Sequence, residues 1–182
     1  RDANSQGVEL LGHFPAMLGA IRSLDGALIG VHRTFIQPDH SGKLVTPGDQ
    51  RRNKAKKIEG EVSGGMIRLS YLSETLACGE GIETTLSYRA LERNAERDIS
   101  IAAGVSLGNM RGGCTGGVPH PKASDGKAKN IPNGIPDPEK PGMGFPSFVK
   151  TFIALGDGDS DHPVTVASIL ACARRAQAQG IE

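Results

Sequence analysis

Asp157, Asp159 and Asp161 fall at alternate positions directly after the apolar run Phe152-Ile153-Ala154-Leu155-Gly156. A second apolar run, Thr75-Leu76-Ala77-Cys78-Gly79, ends in Glu80-Gly81. Short apolar runs that stop abruptly at carboxylates and glycine read as buried parallel strands delivering acids to one edge of a sheet. Carboxylates crowded there repel one another and lose hydration, and a divalent cation relieves both. Hard oxygen ligands of this kind suit Mg²⁺, which keeps several waters and needs few protein donors.

Asp157 and Asp159 sit two apart, so an extended chain turns both to one side. Gly158 between them permits close approach of a cation or phosphate, and Gly156 lets the backbone turn. The plain alternative is a solvated strand-to-helix turn. Asp161 precedes His162-Pro163 at a helix start, so it is a candidate helix cap as much as a metal ligand. A calcium loop would need glycine and glutamate where His162 and Ser168 stand, which rejects an EF-hand. Asp161 also replaces the Thr or Val of the dehalogenase-type phosphatase motif, and no Walker A loop is present. Glu80 is the unusual acid of its turn. Glu83 fits equally well as a first-turn acid stabilising a helix dipole.

The elements that must position these residues are legible as strand, helix, strand, loop, strand, helix. Ile82, Leu86, Ala90 and Leu91 recur at helical spacing and predict an amphipathic helix to about Asn94. Ile99 to Ala103 is the next strand. Val166, Ile169, Leu170 and Ala173 predict a second amphipathic helix, closed by Gly180. Residues 104–148 hold seven of the eleven prolines and no apolar periodicity, as in a long functional or disordered loop. Cys114 and His120 in that loop lack a second ligand pair, and a solvated loop is their expected setting. Upstream, Ala16 to Ser23 and Leu28 to Ile36 flank Asp25-Gly26 as a hairpin. The basic run Arg51-Arg52-Asn53-Lys54-Ala55-Lys56-Lys57 and a short strand, Met66 to Leu69, follow.

The order strand, Glu-Gly, helix, strand, then strand with Asp-x-Asp resembles the Toprim domain of primases and topoisomerases. Glu80-Gly81-Ile82-Glu83-Thr84 with Gly156-Asp157-Gly158-Asp159-Ser160-Asp161 is similar to the Toprim primases of phages and plasmids. So are His13-Phe14-Pro15-Ala16, Gly30-Val31-His32-Arg33-Thr34 and Gly64-Gly65-Met66-Ile67-Arg68-Leu69 upstream. The resemblance implies an α/β fold: a Toprim-like, mostly parallel sheet flanked by helices over 73–182, after a small β-rich basic subdomain over 1–72. It implies Glu80 as general acid or base, and Asp157 and Asp159, with Asp161 beside them, as ligands of Mg²⁺ or Mn²⁺. The implied activity is DNA primase, joining nucleoside triphosphates into a short RNA primer on a single-stranded DNA template. Arg51, Arg52, Lys54, Lys56 and Lys57, with Arg33 and Arg68 behind them, are the implied contacts to template and triphosphate. A replicative helicase, in the same chain or separate, is the further implied partner. A Toprim nuclease and a non-catalytic nucleic-acid-binding module are the rival readings. The fold also implies one more strand after the last helix, of which Ile181-Glu182 form only the beginning.

Composition narrows the setting. At 182 residues and 37% apolar content, the chain supports one ordinary domain or two small ones. A net charge of +1 leaves any polyanion binding to local patches. Three scattered cysteines exclude a disulfide framework and a zinc knuckle, so a reducing cytoplasm is the expected compartment. No run approaches membrane-spanning length, and the first residues do not form a signal peptide. Starting without Met, the chain is expected to be a piece of a longer protein.

Overall fold

Residues 12–44, 55–92, 98–122, 130–158 and 160–182 are described by the computed structural model of the chain. They form β1 (Ala16–Arg22), β2 (Leu28–Phe35), β3 (Lys56–Gly60), β4 (Met66–Arg68), β5 (Thr75–Gly79), α1 (Ile82–Glu92), β6 (Ile99–Ala103), α2 (Leu107–Arg111), β7 (Gly117–Pro119), β8 (Asn130–Pro132), β9 (Thr151–Leu155) and α3 (His162–Ala178). The chain divides into two units, Arg1–Gly19 with Val31–Glu59, and Ala20–Gly30 with Gly60–Glu182. β1 and β2 run from one into the other.

In the first unit β3, β2 and β1 are neighbours in that order. Phe35 donates its amide to the Ala55 carbonyl, and Ile36 donates to Pro15. Phe14 meets Phe35 edge-on with ring centroids 6.5 Å apart.

In the second unit the order is β1-β4-β6-β5-β9. The hairpin at Asp25-Gly26 forms as expected: Gly26 donates to the Ser23 carbonyl and adopts φ 93°. Beyond it, Ile21 and Arg22 pair antiparallel with Ile67 and Met66, and Ile67 and Arg68 pair antiparallel with Ala103 and Ala102. Met66–Arg68, expected with the N-terminal part, thus pairs within this sheet. β6, β5 and β9 are mutually parallel, with Gly79 opposite both Ala103 and Leu155. Glu182 donates to the Lys150 carbonyl and accepts from the Phe152 amide, the pattern of a parallel partner beside Thr151. The fold is therefore α/β with a mixed sheet.

The sheet is covered on both faces, because alternate residues of a strand face opposite ways. Leu76, Cys78 and Ala102 pack with Cys172, Ala176 and Ile181 on the α3 face. Ala77, Ile99 and Ile101 pack with Tyr88 on the α1 face. Both helices form where expected, but each is rotated from the face its large apolar residues suggest. α1 buries Ile82 and Thr85, while Leu86 and Leu91 are 45% and 81% exposed. α3 buries Thr165, Ser168, Ala171, Cys172 and Ala176, while Val166 and Leu170 are exposed. Small side chains let the helices lie close: a Cβ on Gly156 would come 2.8 Å from Ile169 Cδ1.

The described parts of 104–148 are not a featureless loop. Ser106 caps α2, accepting the Asn109 amide, and β7 pairs with β8 antiparallel. Met110, Met143 and Phe145 from this segment enter the α3-side core. No helix among the described residues is long and apolar enough to cross a membrane.

Cys78 and Cys172 are fully buried, and burial pushes both thiols up, Cys172 to about 12. A folded pKa above the ordinary 9.0 means the stabilisation is complete below pH 9.0 and is lost as pH rises towards 12. Native protein should therefore react with a thiol reagent at the partly exposed Cys114, with Cys78 and Cys172 reacting only on unfolding. Mass-spectrometric mapping of the labelled cysteines checks this.

Candidate functional site at the carboxyl edge of the parallel strands

The register of β5 against β9 decides what shares an edge. With Gly79 beside Leu155, Glu80 follows one strand by one residue and Asp157 follows its neighbour by two. Ends of parallel strands are where open α/β sheets carry ligands.

Two adjacent threonines of α1 hold these turns, and sequence reading passed over both. Thr85 Oγ1 accepts the Gly79 amide at 3.2 Å and donates to the Gly81 carbonyl at 2.9 Å, clamping the backbone on either side of Glu80. A Cβ on Gly79 would meet Thr85 Oγ1 at 2.9 Å, so glycine is what lets the helix start this close. Thr84 donates its hydroxyl to Asp157 Oδ1, linking the two acid-bearing turns. The available signal was a threonine four residues after Gly81, the spacing at which a helical hydroxyl reaches back to a carbonyl. Glu80 and Asp157 are both half-buried. Glu83 lies in the first turn of α1, as its dipole role requires.

Asp161 caps α3 through its backbone and not through its side chain. Its backbone is the N-cap of α3, and its carbonyl accepts the Thr165 amide at 2.9 Å, but its side chain makes no cap bond. Pro163 in the first turn removes one amide a cap would have served. The carboxylate instead meets His120 Nε2, at 2.9 Å from Oδ1 and 3.1 Å from Oδ2. His120, expected in a solvated loop, has a side chain only 1% exposed.

The cations separate into several settings. Arg33 is ion-paired with Glu59 at 2.5 Å and lies 5.8 Å from the Phe35 ring centroid. Lys56 and Lys57 open β3. Arg68 donates to the Ser23 and Leu24 carbonyls, each at 3.0 Å, and so braces the hairpin turn. Arg51, Arg52, Lys54 and Asp159 lie outside the described residues.

Among the described residues, no group of three or more His, Cys, Asp or Glu side chains is gathered closely enough to hold a metal ion. The strand-end donors that are described, Glu80 and Asp157, are hard carboxylates and fit Mg²⁺ or Mn²⁺ rather than a soft metal. In comparison with known proteins, residues 3–69 match a family described as a domain of unknown function, DUF7146. No curated protein and no solved structure matches the chain. The matched segment ends before Glu80, so it bears on the N-terminal part and leaves the acidic edge to be argued from geometry.

Proposed function

We propose that the chain is a Toprim-type catalytic core of a mobile-element DNA primase, making short RNA primers on single-stranded DNA. One observation carries the reading: β5 and β9 run parallel with Gly79 opposite Leu155, so Glu80 and Asp157 leave the same sheet edge. In this reading Asp157 and Asp159, with Asp161 beside them, hold Mg²⁺ or Mn²⁺. When bound, the cation supplies charge neutralisation for a triphosphate. Glu80 moves the proton at the attacking hydroxyl, a task for a half-buried carboxylate held by a clamped backbone. Thr84 orients Asp157, which fixes the lone pairs that Asp157 turns to the cation. Arg51, Arg52, Lys54, Lys56 and Lys57 are assigned to phosphates of template and triphosphate, with Arg33 and Arg68 as supporting charges.

The test is to incubate the full chain with end-labelled single-stranded DNA and Mg²⁺, with and without labelled nucleoside triphosphates. Template-dependent RNA products of a few nucleotides are expected. Shortening of the DNA label without triphosphates supports a nuclease in place of a primase. Retention of the DNA with neither reaction supports a binding module.

A further inference from the structure

We propose that Tyr71 and Phe148 form a stacking platform for the bases of a single-stranded nucleic acid, with Arg68 beside them for its phosphates. The proposal deepens the primase reading by placing part of its single strand, and rests on that reading for the identity of the partner.

The large aromatic side chains of the chain are two Tyr and five Phe. Most of them are packed. Phe14 meets Phe35, Phe145 meets Phe152 edge-on with ring centroids 4.8 Å apart, and Tyr88 lies against the core of Ala77 and Ile101. The two that remain are exposed, Phe148 by 49% and Tyr71 by 99%. They line the same depression, of about 230 Å³, together with the half-exposed Leu24. Single exposed apolar residues need no explanation, but both spare aromatics in one place do. The volume lies below the floor of about 300 Å³ for small-molecule pockets, which suits one flat group laid in from a strand.

Both rings stand on braced backbone. Ser70 Oγ accepts the Ile101 amide and donates to the Tyr71 carbonyl, each at 2.9 Å, which ties Tyr71 to β6. Phe148 lies inside a turn closed by the Val149 amide on Pro146, and the next amide, of Lys150, donates to Glu74. A platform whose backbone is already ordered loses little entropy when a base stacks on it. Charge completes the fit. Among the described residues lining the depression Arg68 alone is charged, and its bonds to the Ser23 and Leu24 carbonyls hold the guanidinium in place. Arg22 donates to Gly26 in the same hairpin, against one acid there, Asp25. That balance favours a polyanion over an acidic or purely apolar partner. β4 runs antiparallel to β6 with Arg68 opposite Ala102, so Tyr71 leads away from the strand ends that carry Glu80 and Asp157. Phe148 likewise precedes the start of β9. The platform therefore lies towards the amino ends of the parallel strands, where it grips a strand without touching the reacting atoms.

The test measures, by fluorescence anisotropy over a series of salt concentrations, how the full chain binds a dye-labelled oligothymidylate and an abasic strand of the same length. Tyr71→Ala and Phe148→Ala are each expected to weaken the thymidylate complex about tenfold, while Tyr71→Phe stays within about threefold of wild type. The abasic strand should bind wild type and Tyr71→Ala alike, because it offers no ring to stack. The salt dependence should be the same in both proteins, because no phosphate contact is lost. Unchanged thymidylate affinity in Tyr71→Ala overturns the proposal, as does an equal loss on the abasic strand or a tenfold loss in Tyr71→Phe. A flattened salt dependence overturns it too, since Tyr71 would then act through a displaced cation. Tyr71 buries almost nothing, so its variants keep the fold and decide the matter should Phe148→Ala fail to fold. If Tyr71→Ala abolishes self-association and leaves strand binding intact, the face is a protein contact and the proposal fails. Primer synthesis assayed in parallel separates the two readings. Wild type that binds thymidylate through Tyr71 and makes no primers sinks the primase alone. Wild type that primes, with strand binding untouched in Tyr71→Ala, sinks the platform alone. Wild type that binds no strand sinks both.

Discussion

Glu80→Gln is expected to lower the proposed primer synthesis by the full chain about 10³-fold, the scale of a lost general acid or base, with the fold retained. Gln preserves the length and planarity of the side chain but has no carboxylate to accept a proton. Thr85 clamps the backbone on either side of it, so the turn keeps its geometry. Melting temperature without metal should change little, because the Thr85 clamp is untouched. Asp157→Asn is expected to fall as far in activity but for a different reason. Its amide still accepts from Thr84, yet it offers the cation a neutral ligand in place of a charged one. The two variants should therefore part in a melting experiment: Mn²⁺ raises the transition of wild type and leaves that of Asp157→Asn nearly still. Wild-type priming rates in either variant refute the assignment of the acidic edge.

The positions of strands and helices were readable because burial leaves a coarse mark. Ile99 to Ala103 is buried at every residue, and such a run can only be an inner strand. Which way each helix faces was not readable from size and hydrophobicity. Leu86, Leu91, Val166 and Leu170 look like core residues, yet the sheet is met by Thr85, Ser168, Ala171 and Cys172. A helix lying close to a strand-end glycine selects small side chains, and that selection runs against the usual apolar stripe. The acids were legible as types and spacing, because few structural demands place carboxylates after buried strands. Their partners were not. Nothing in the spacing of Thr84 and Asp157, or of His120 and Asp161, predicts a contact, since each depends on the sheet register and on the path of a proline-rich segment. The described parts of 104–148 lacked periodicity because their order comes from a short antiparallel pairing, hydrogen bonds to single side chains and a few buried residues such as Met110.

Arg175→Ala should be the most destabilising single change in the α3-side half of the second unit, and the hydrogen bonds say why. Arg175 Nε donates to the Arg111 carbonyl at 2.6 Å, and Nη2 reaches the carbonyls of Gly113, Asp137 and Lys140 at 2.7, 3.0 and 2.9 Å. Those carbonyls belong to two stretches, 111–113 and 137–140, that also bond to each other through the Gly113 amide on Lys140 and the Asp137 amide on Gly113. Arg174 adds a bond to the Gly134 carbonyl at 2.6 Å. Truncation removes four charge-assisted bonds at once, with the Gly113, Asp137 and Lys140 carbonyls keeping one backbone donor each, and a loss of about 3 kcal/mol is expected. The effect spreads to the whole unit, because Met110, Met143 and Phe145 lie in the same core as Leu76 and Cys172. Urea unfolding should thus show a lower midpoint with an unchanged slope, rather than a separate early transition. Lysine does not restore the loss, because one ammonium cannot span carbonyls that a planar fork serves from two sides. A shift below about 0.5 kcal/mol, within the range of an ordinary surface change, would mean that the segment is held by its backbone bonds and buried apolar residues without Arg175.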